Sequence, residues 1–315
     1  MYHLLPMNQH LANTEGSQPI PLSMVTAPAP ALLFEMIRSF VTLATTLNLS
    51  HAVAELGTTR QTLRRHIQQL EEAMNTALFE VDARRYVLTP EGADALPEAK
   101  DILVRGRMWL EGHTRHSSGL QRLTYTGPDG WFFFQQQQPL SVIWDGQSPM
   151  LQAALDVWTQ SRGEIESEAF RAIRPYVLVY RDSPSGWLCT EVGEKSFYTQ
   201  WWGWANARSS IGRPLKQFAG GPDFESMLNH TFREVEATSG VRLDEVVTTA
   251  PREEGGQVVP AAYKRLLMAG RYPDKSFALI AAIDRCWSVS VEGVDAAFLD
   301  KMPKDARVVF EGREG

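Results

Sequence analysis

Between Leu33 and Leu70 the apolar residues recur at helical spacing in three separate runs, and the breaks between the runs are as informative as the runs themselves. Leu33, Ile37, Phe40, Val41 and Ala44 fall at i, i+4, i+7, i+8 and i+11, which puts one apolar face on a first helix. Ala52, Val53 and Leu56 give a second, shorter helix an inward side. Gly57 stops it, because a residue without a Cβ tolerates the left-handed backbone of a tight turn. A third helix begins at once: Thr58 with Gln61 fits a capping box, and Thr59 is an equally good N-cap. On this helix Leu63, Ile67 and Leu70 face inward, and Asn75 stands where a left-handed cap would close it. The period then shortens. Leu78, Phe79 and Val81 begin a strand, Asp82 and Ala83 turn it, and Tyr86, Val87 and Leu88 return it, leaving Arg84 and Arg85 at the tip of a hairpin.

Three helices and a hairpin predict a winged helix-turn-helix, and the chemistry of the third helix says what it would hold. Burying Leu63, Ile67 and Leu70 turns Gln61, Thr62, Arg65, Gln68 and Gln69 outward, with Thr59, Arg60 and Arg64 flanking. No Asp or Glu occurs between Leu56 and Leu70, so phosphates would meet no local repulsion. Gln and Arg can pair bidentately with adenine and guanine edges. The candidate DNA-binding residues are therefore Thr59, Arg60, Gln61, Thr62, Arg64, Arg65 and Gln68, with Arg84 and Arg85 of the wing suited to phosphate or minor-groove contact. The alternative, a solvated helix face, usually mixes both signs of charge.

A long helix, residues 93–116, is expected to follow as a linker, with Pro97 and Gly106 as its weak points. Leu96, Ala99, Leu103 and Leu110 lie near helical spacing and give it a stripe to bury, against a second chain or against its own.

The segment from about Leu33 to Leu110 resembles the N-terminal region of LysR-type transcriptional regulators, through Ala52, Leu56, Gly57, Ile67, Leu70, Glu71, Leu78, Phe79, Leu88, Thr89 and Gly92 with no insertion. Val53, Arg64, Asn75 and Val81 depart from the family pattern. The resemblance implies a regulator that binds double-stranded DNA as a homodimer or homotetramer paired through the linker helix. A small-molecule effector and RNA polymerase are the further partners it would take.

The second half has a different composition. Eight of the nine tryptophans lie beyond Gly130, so the large aromatic surface belongs there. LTYT and WFFF flank GPDG as a hairpin, SVIW reads as a further strand, and a helix is expected from about Met150 to Gln160. Strands follow at PYVLVYR and GWLCTEV. Phe224, Met227, Leu228, Phe232 and Val235 then form a helical stripe, and VRLDEVVTTA, VVPAAYKRLLMAG and KSFALIAAI read as three strands. Together with the GRPL at Gly212 to Leu215, this order resembles a PAS-type sensor across about Val157 to Asp284. The regular strand-helix alternation of the usual LysR effector half is not found. The expected fold class is thus α+β and multidomain: a disordered tail over residues 1–30, a winged helix-turn-helix over 31–92, the linker over 93–116, and a PAS-like antiparallel sheet with helices over 121–315. Trp201, Trp202 and Trp204 are candidate ligand-binding residues, against the alternative of core or interface packing.

Charge and rare residues narrow the classes. The net charge of −6 does not argue against DNA, because the cations that matter are gathered on one surface. Two cysteines, Cys189 and Cys286, supply no disulfide framework, and the seven histidines do not gather at ligand spacing, so no metal and no cofactor is expected. His113 and His116 sit on what reads as the linker's end. His230 reads as a solvated or hydrogen-bonded residue. No phosphate-loop, dinucleotide or nucleophile-elbow motif appears, no signal or membrane span is found, and a cytoplasmic regulator that is not an enzyme is expected. Two other readings stay open for the second half: an interaction or oligomerisation module that senses nothing, and an enzyme fused to a DNA-binding head.

Overall fold

Five residues punctuate the first three helices and fix where their side chains point. Asn48 and Thr59 start helices, their side-chain oxygens accepting backbone N–H groups of the first turn. Leu47, Gly57 and Asn75 end them in the left-handed conformation, at φ 48°, 63° and 51°. The computed structural model describes residues 29–311 except 83–84, 118, 128–130, 146–147, 184–185, 219–220, 254–255, 287–290, 292–293, 295 and 305–307. The expected tail falls, up to residue 28, outside the described residues, as do Ala83 and Arg84 at the wing tip. The chain divides into two compact units, residues 1–96 and 97–315.

In the first unit α1 is Leu33–Thr46, α2 is Leu49–Leu56 and α3 is Arg60–Met74. Thr59, not Thr58, is the N-cap of α3. The core side of α1 carries Met36, Ile37, Phe40, Leu43 and Ala44, while Leu33 and Val41 are only half-buried. This face is wider than the i, i+4 stripe because α1 packs against both α2 and α3. Leu63, Ile67 and Leu70 of α3 are buried against it as their spacing requires. His66 is also buried, and its Nδ1 lies 2.8 Å from the Ser39 Oγ of α1.

The wing, β1 (Phe79–Asp82) with β2 (Arg85–Leu88), is an antiparallel pair with Phe79 opposite Leu88 and Asp82 opposite Arg85. Two side chains, Glu71 and Thr89, anchor it through four hydrogen bonds to backbone. Glu71 Oε1 accepts the backbone N–H of Leu78 at 2.8 Å and of Phe79 at 3.2 Å. Thr89 Oγ1 donates to the Ala77 carbonyl at 2.7 Å and accepts the Gly92 N–H at 2.9 Å. Gly92 is needed because a Cβ there would sit 2.1 Å from the Leu78 carbonyl oxygen. The Phe79 ring adds edge contacts to Phe40 and Tyr86, at 5.6 and 5.8 Å between centroids.

Helix α4, Pro90–Leu110, runs unbroken through Pro97 and Gly106. It does not reach residue 116. Gly112, at φ 74°, turns the chain, and Thr114–Ser117 forms strand β3, which pairs with β4 (Leu120–Thr126) from Thr114 opposite Leu123. His113 and His116 therefore lie at and in a strand and not on a helix end.

β3 and β4 begin an eight-stranded antiparallel sheet that continues with β5 (Phe132–Gln138), β6 (Val177–Arg181), β7 (Leu188–Val192), β8 (Val241–Pro251), β9 (Val258–Arg271) and β10 (Phe277–Arg285). Its spatial order is β3-β4-β5-β8-β9-β10-β6-β7. The strand expected at SVIW is instead a 3₁₀ turn over Leu140–Trp144. Pro139 has no N–H to extend the ladder past Gln138, and its carbonyl accepts the Val142 N–H at 3.0 Å. Four helices complete the unit: α5 (Pro149–Ser161), α6 (Phe197–Trp202), α7 (Trp204–Ser209) and α8 (Gly221–Thr238). Ala261 to Gly270 of β9 are all buried, because both faces of the sheet are covered. The main core packs helices on one side, and Val291, Phe298 and Met302 cover Val247 and Ala262 on the other.

Gly57 and Gly92 make contrasting demands that substitution can separate. At Gly57 an added Cβ meets open space and only the positive φ resists it, so Gly57→Ala is expected to cost about 1 kcal/mol. Gly92→Ala drives a Cβ into backbone and is expected to cost about 3 kcal/mol. Hydrogen–deuterium exchange of residues 34–93 should show the larger loss of protection for Gly92→Ala; equal losses would contradict the close approach.

Candidate nucleic-acid interface and an aromatic cavity

The nine sequence-predicted DNA contacts separate into those already engaged and those free to reach out. Thr59 Oγ1 caps α3 by accepting the Thr62 N–H at 3.1 Å, and the two hydroxyls lie 2.9 Å apart. Arg60 donates to Ser50 Oγ at 2.9 Å, bridging α3 to α2, and Gln68 donates to Glu72 Oε1 at 2.8 Å. Gln61, Arg64 and Arg65 are exposed, and none of them has a hydrogen bond or ion pair with another described residue. Two guanidinium groups and an amide thus project from one side of a helix whose other side is pinned by Leu63, His66, Ile67 and Leu70. Such a face can donate to phosphates and base edges without first breaking an internal ion pair. Arg85 is exposed on the wing, between Val81 and Val87, which are exposed as well; Arg84 lies outside the described residues.

The candidate dimerisation stripe is not uniform. Ala99 is buried within its own chain, Leu96 and Leu103 are half-buried, and Leu110 is exposed by 78% beside Trp109 at 74%. Buried Asp101 of the same helix lies with its Oδ1 3.9 Å from His230 Nδ1 on α8, and neither atom has a hydrogen-bond partner. Asp101 Oδ2 accepts from Arg105 Nε at 2.9 Å. Burial pushes the Asp101 carboxyl up, opposed chiefly by Arg105. Burial also pulls His230 down to about 4, with Arg105, Arg242 and His116 adding repulsion and Asp244 opposing it. His230 is half-buried, its Nδ1 is closed off from water, and burial holds its imidazole neutral.

A cavity of about 430 Å³ lies between the sheet and helices α6 and α8. The sheet supplies Tyr180 of β6, Tyr263 and Arg265 of β9 and Ile283 of β10, and the helices close it with aromatic side chains. Of the three tryptophans singled out from sequence, Trp201 and Trp202 line this cavity. Trp204 is exposed and lines a separate surface hollow beside Arg174 and Glu191. Trp201 Nε1 donates to the Pro251 carbonyl at 2.9 Å, which fixes its ring as a wall. Sequence patterning missed the charged groups beneath: Asp244 Oδ1 accepts from Arg242 Nε at 2.8 Å and its Oδ2 from Arg265 at 3.1 Å, all three buried. Arg265 also donates to Gln135 Oε1 at 2.7 Å, and Gln135 in turn donates to Thr231 of α8 at 3.1 Å. Polar letters inside VRLDEVV and AAYKRLL were the available signal. Among the described residues no group of three metal-ligating side chains occurs, and no helix is long and apolar enough to cross a membrane.

His230 supplies a pH prediction whose sign is fixed. Its folded-state value lies below the ordinary 6.5, so the unfolded chain binds the proton first and stability falls as pH drops from about 6.5 to about 4. The full loss is about 3 kcal/mol, offset at the acid end by Asp101, which takes up its proton earlier when folded. Urea titrations at stepped pH should show this decline, flattened in His230→Gln; an unchanged decline in the variant would contradict the assignment.

The comparisons with known proteins bear on the first unit. Residues 34–93 match the family model described as "Bacterial regulatory helix-turn-helix protein, lysR family". A "Probable hydrogen peroxide-inducible genes activator" of Mycobacterium avium is 37% identical over 67 residues, 21% of this chain and 22% of that protein. The "HTH-type transcriptional regulator XapR" of Escherichia coli (strain K12) is 25% identical over 174 residues, 52% of this chain and 55% of that protein. The chain thus spans between about a fifth and about half the length of these relatives. Among solved structures, the "CbnR_DBD-DNA complex" aligns at 28% identity over 25% of this chain and 92% of that one, with a TM-score of 0.24. Residues 34–93 are a helix-turn-helix domain of the bacterial regulatory LysR family.

Proposed function

We propose that this chain is a LysR-type DNA-binding transcriptional regulator that acts as a dimer or higher oligomer and carries a PAS-like sensor in place of the usual effector half. The observation that carries the DNA reading is the exposed, acid-free side of α3, where Gln61, Arg64 and Arg65 stand unengaged in a domain of that family. Arg64 and Arg65 sit where base edges would lie if α3 enters the major groove, and Arg85 supplies a phosphate contact from the wing. Exposed Trp109 and Leu110 on α4 support pairing of two chains, which would set two recognition helices about one DNA turn or a multiple apart. Residues 31–92 would then be the DNA reader, the helix after them the linker and the remainder the sensor.

The sensor reading rests on topology and on the cavity. Taken alone, β6 to β10 lie in the order β8-β9-β10-β6-β7, with α6, α7 and α8 inserted between β7 and β8. A five-stranded antiparallel sheet cupping helices between its second and third strands supports a PAS-like domain. Helix α8 gives a route from ligand to linker: Phe224, Leu228 and Phe232 line the cavity, and His230 meets Asp101 of α4. A ligand that favours one placement of α8 would bias the linker helix, and only differential affinity for the two placements can drive such a shift.

Two measurements test these readings. Genomic fragments retained by the full chain give the target, and anisotropy titrations over a range of salt give the slope. Arg65→Ala should weaken target binding by about 5- to 100-fold and relax base preference at one position, whereas Arg85→Ala should weaken all duplexes alike and reduce the salt slope by about 1. Retained specificity in Arg65→Ala would contradict the placement of α3. For the sensor, a small-molecule extract of the host cell should change target affinity, and Ala261→Phe, which fills the cavity from β9, should abolish the change; a persisting response would move sensing elsewhere.

A further inference from the structure

The polar groups around the cavity are unlike one another in number: donors are in excess. Arg265 is exposed by only 2%, lines the cavity, and leaves its Nε–H without a partner although its other nitrogen is bound to Asp244 and Gln135. Tyr180 and Tyr263 are buried and line the cavity too, and among the described residues neither hydroxyl has a hydrogen-bond partner. Burial raises both phenols, Tyr263 to about 12, so each keeps its proton and remains a donor. A buried donor without an acceptor is costly: Arg265 Nε and Thr249 Oγ1 are in that position, the two phenols line the same space, and these are the groups a ligand would satisfy.

Charge balance then limits what the acceptor can be. Arg242 and Arg265 are matched by Asp244, which bonds to both, and by Glu234, which pairs with Arg242. A carboxylate entering beside Arg265 would therefore meet a neutral cluster and the Asp244 anion behind it. Removing its water would be costly with little to offset it. A carbonyl oxygen accepts the same N–H and O–H donors without that loss. Most of the helical wall is ring: Phe197, Trp201, Trp202, Phe224 and Phe232 face the space from α6 and α8, and aliphatic side chains such as Leu178 and Ile283 complete it from the sheet. These flat surfaces fit a planar aromatic body. An engineered cavity of about 150 Å³ holds one benzene, so about 430 Å³ has room for two or three fused or linked rings.

We propose that the cavity binds an uncharged, planar aromatic ligand of two to three rings whose carbonyl oxygen accepts hydrogen bonds from Arg265 and from Tyr263, two residues away on the same face of β9. This rests on the sensor reading above and names the chemistry of its ligand. The carbonyl distinguishes the ligand from an aromatic acid on one side and from an aromatic hydrocarbon on the other.

The test is isothermal titration calorimetry of the full chain with three probes on one ring system: 2-acetylnaphthalene, 2-naphthoate and 2-ethylnaphthalene. The ketone is expected to bind with a negative heat-capacity change, at least tenfold more tightly than the carboxylate and at least fivefold more tightly than the hydrocarbon. Tyr263→Phe should remove most of the preference for ketone over hydrocarbon while leaving hydrocarbon affinity in place, which separates a lost hydrogen bond from a lost fold. Ala261→Phe should remove all three heats. Equal or tighter binding of the carboxylate would overturn the proposed ligand class and leave the sensor reading standing. Failure of all three probes would overturn the inference as well, and the response of target affinity to the host extract would then judge the sensor reading separately.

Discussion

Leu63, Ile67 and Leu70 can be buried against α1 only if the opposite side of α3 faces water, and that one packing constraint places the cations of α3 proposed to meet DNA. The constraint is strengthened from both ends. Thr59 and Asn75 set where the helix starts and stops, so its rotation about its own axis is fixed to within a residue. His66, held to Ser39 of α1, adds a polar contact inside an otherwise apolar interface, and a slipped register would leave both groups buried and unpaired. Glu71 then locks the start of the wing to the same helix, and Thr89 and Gly92 close its far end against Ala77 and Leu78, all by contacts that involve backbone. The first unit therefore presents its cations from a rigid frame.

The second unit is built on an opposite compromise. Its sheet accepts a row of charged residues in the middle of two buried strands, where Asp244 faces Arg265 and Glu245 faces Lys264 across the β8–β9 pair. Buried ion pairs of this kind rarely stabilise a fold more than apolar packing would. Here they hold Arg265 and Gln135 beneath α8 and leave a donor at the edge of an aromatic space. α8 touches both that space and, through His230, the Asp101 of the linker helix. The aromatic cavity wall and the His230–Asp101 contact thus share one helix.

How much of this could be read from the letters depended on how local the cause was. The three helices, the Gly57 stop, the Asn75 cap and the wing strands follow from spacing and turn chemistry within a dozen residues, and all are present. The meander of β8, β9 and β10 and the helix from Gly221 were legible for the same reason. Residues 140–144 and 114–117 were not, because four or five residues are too few to show a period: Pro139 turned one into a 3₁₀ helix, and pairing with β4 drew the other into the sheet. The site was legible where it is a surface. Exposed Arg64 and Arg65 follow from the helix period, but the engagement of Arg60 with Ser50 and of Gln68 with Glu72 depends on rotamers that spacing does not encode. Trp201 and Trp202 attracted attention by size alone, and the donors that give the cavity its chemistry, Tyr180, Tyr263 and Arg265, come from strands far apart in sequence.

The central claim is that the exposed side of α3 lies against the bases of duplex DNA, and photocrosslinking tests it most directly. A photoreactive amino acid placed at Arg65 of the full chain, on a genomic fragment the protein retains, should crosslink to a base within the protected site, while the same group at exposed Ala73 near the helix end should not. Crosslinks from position 73 in place of 65, or none from 65 on a fragment that stays bound, would contradict the account.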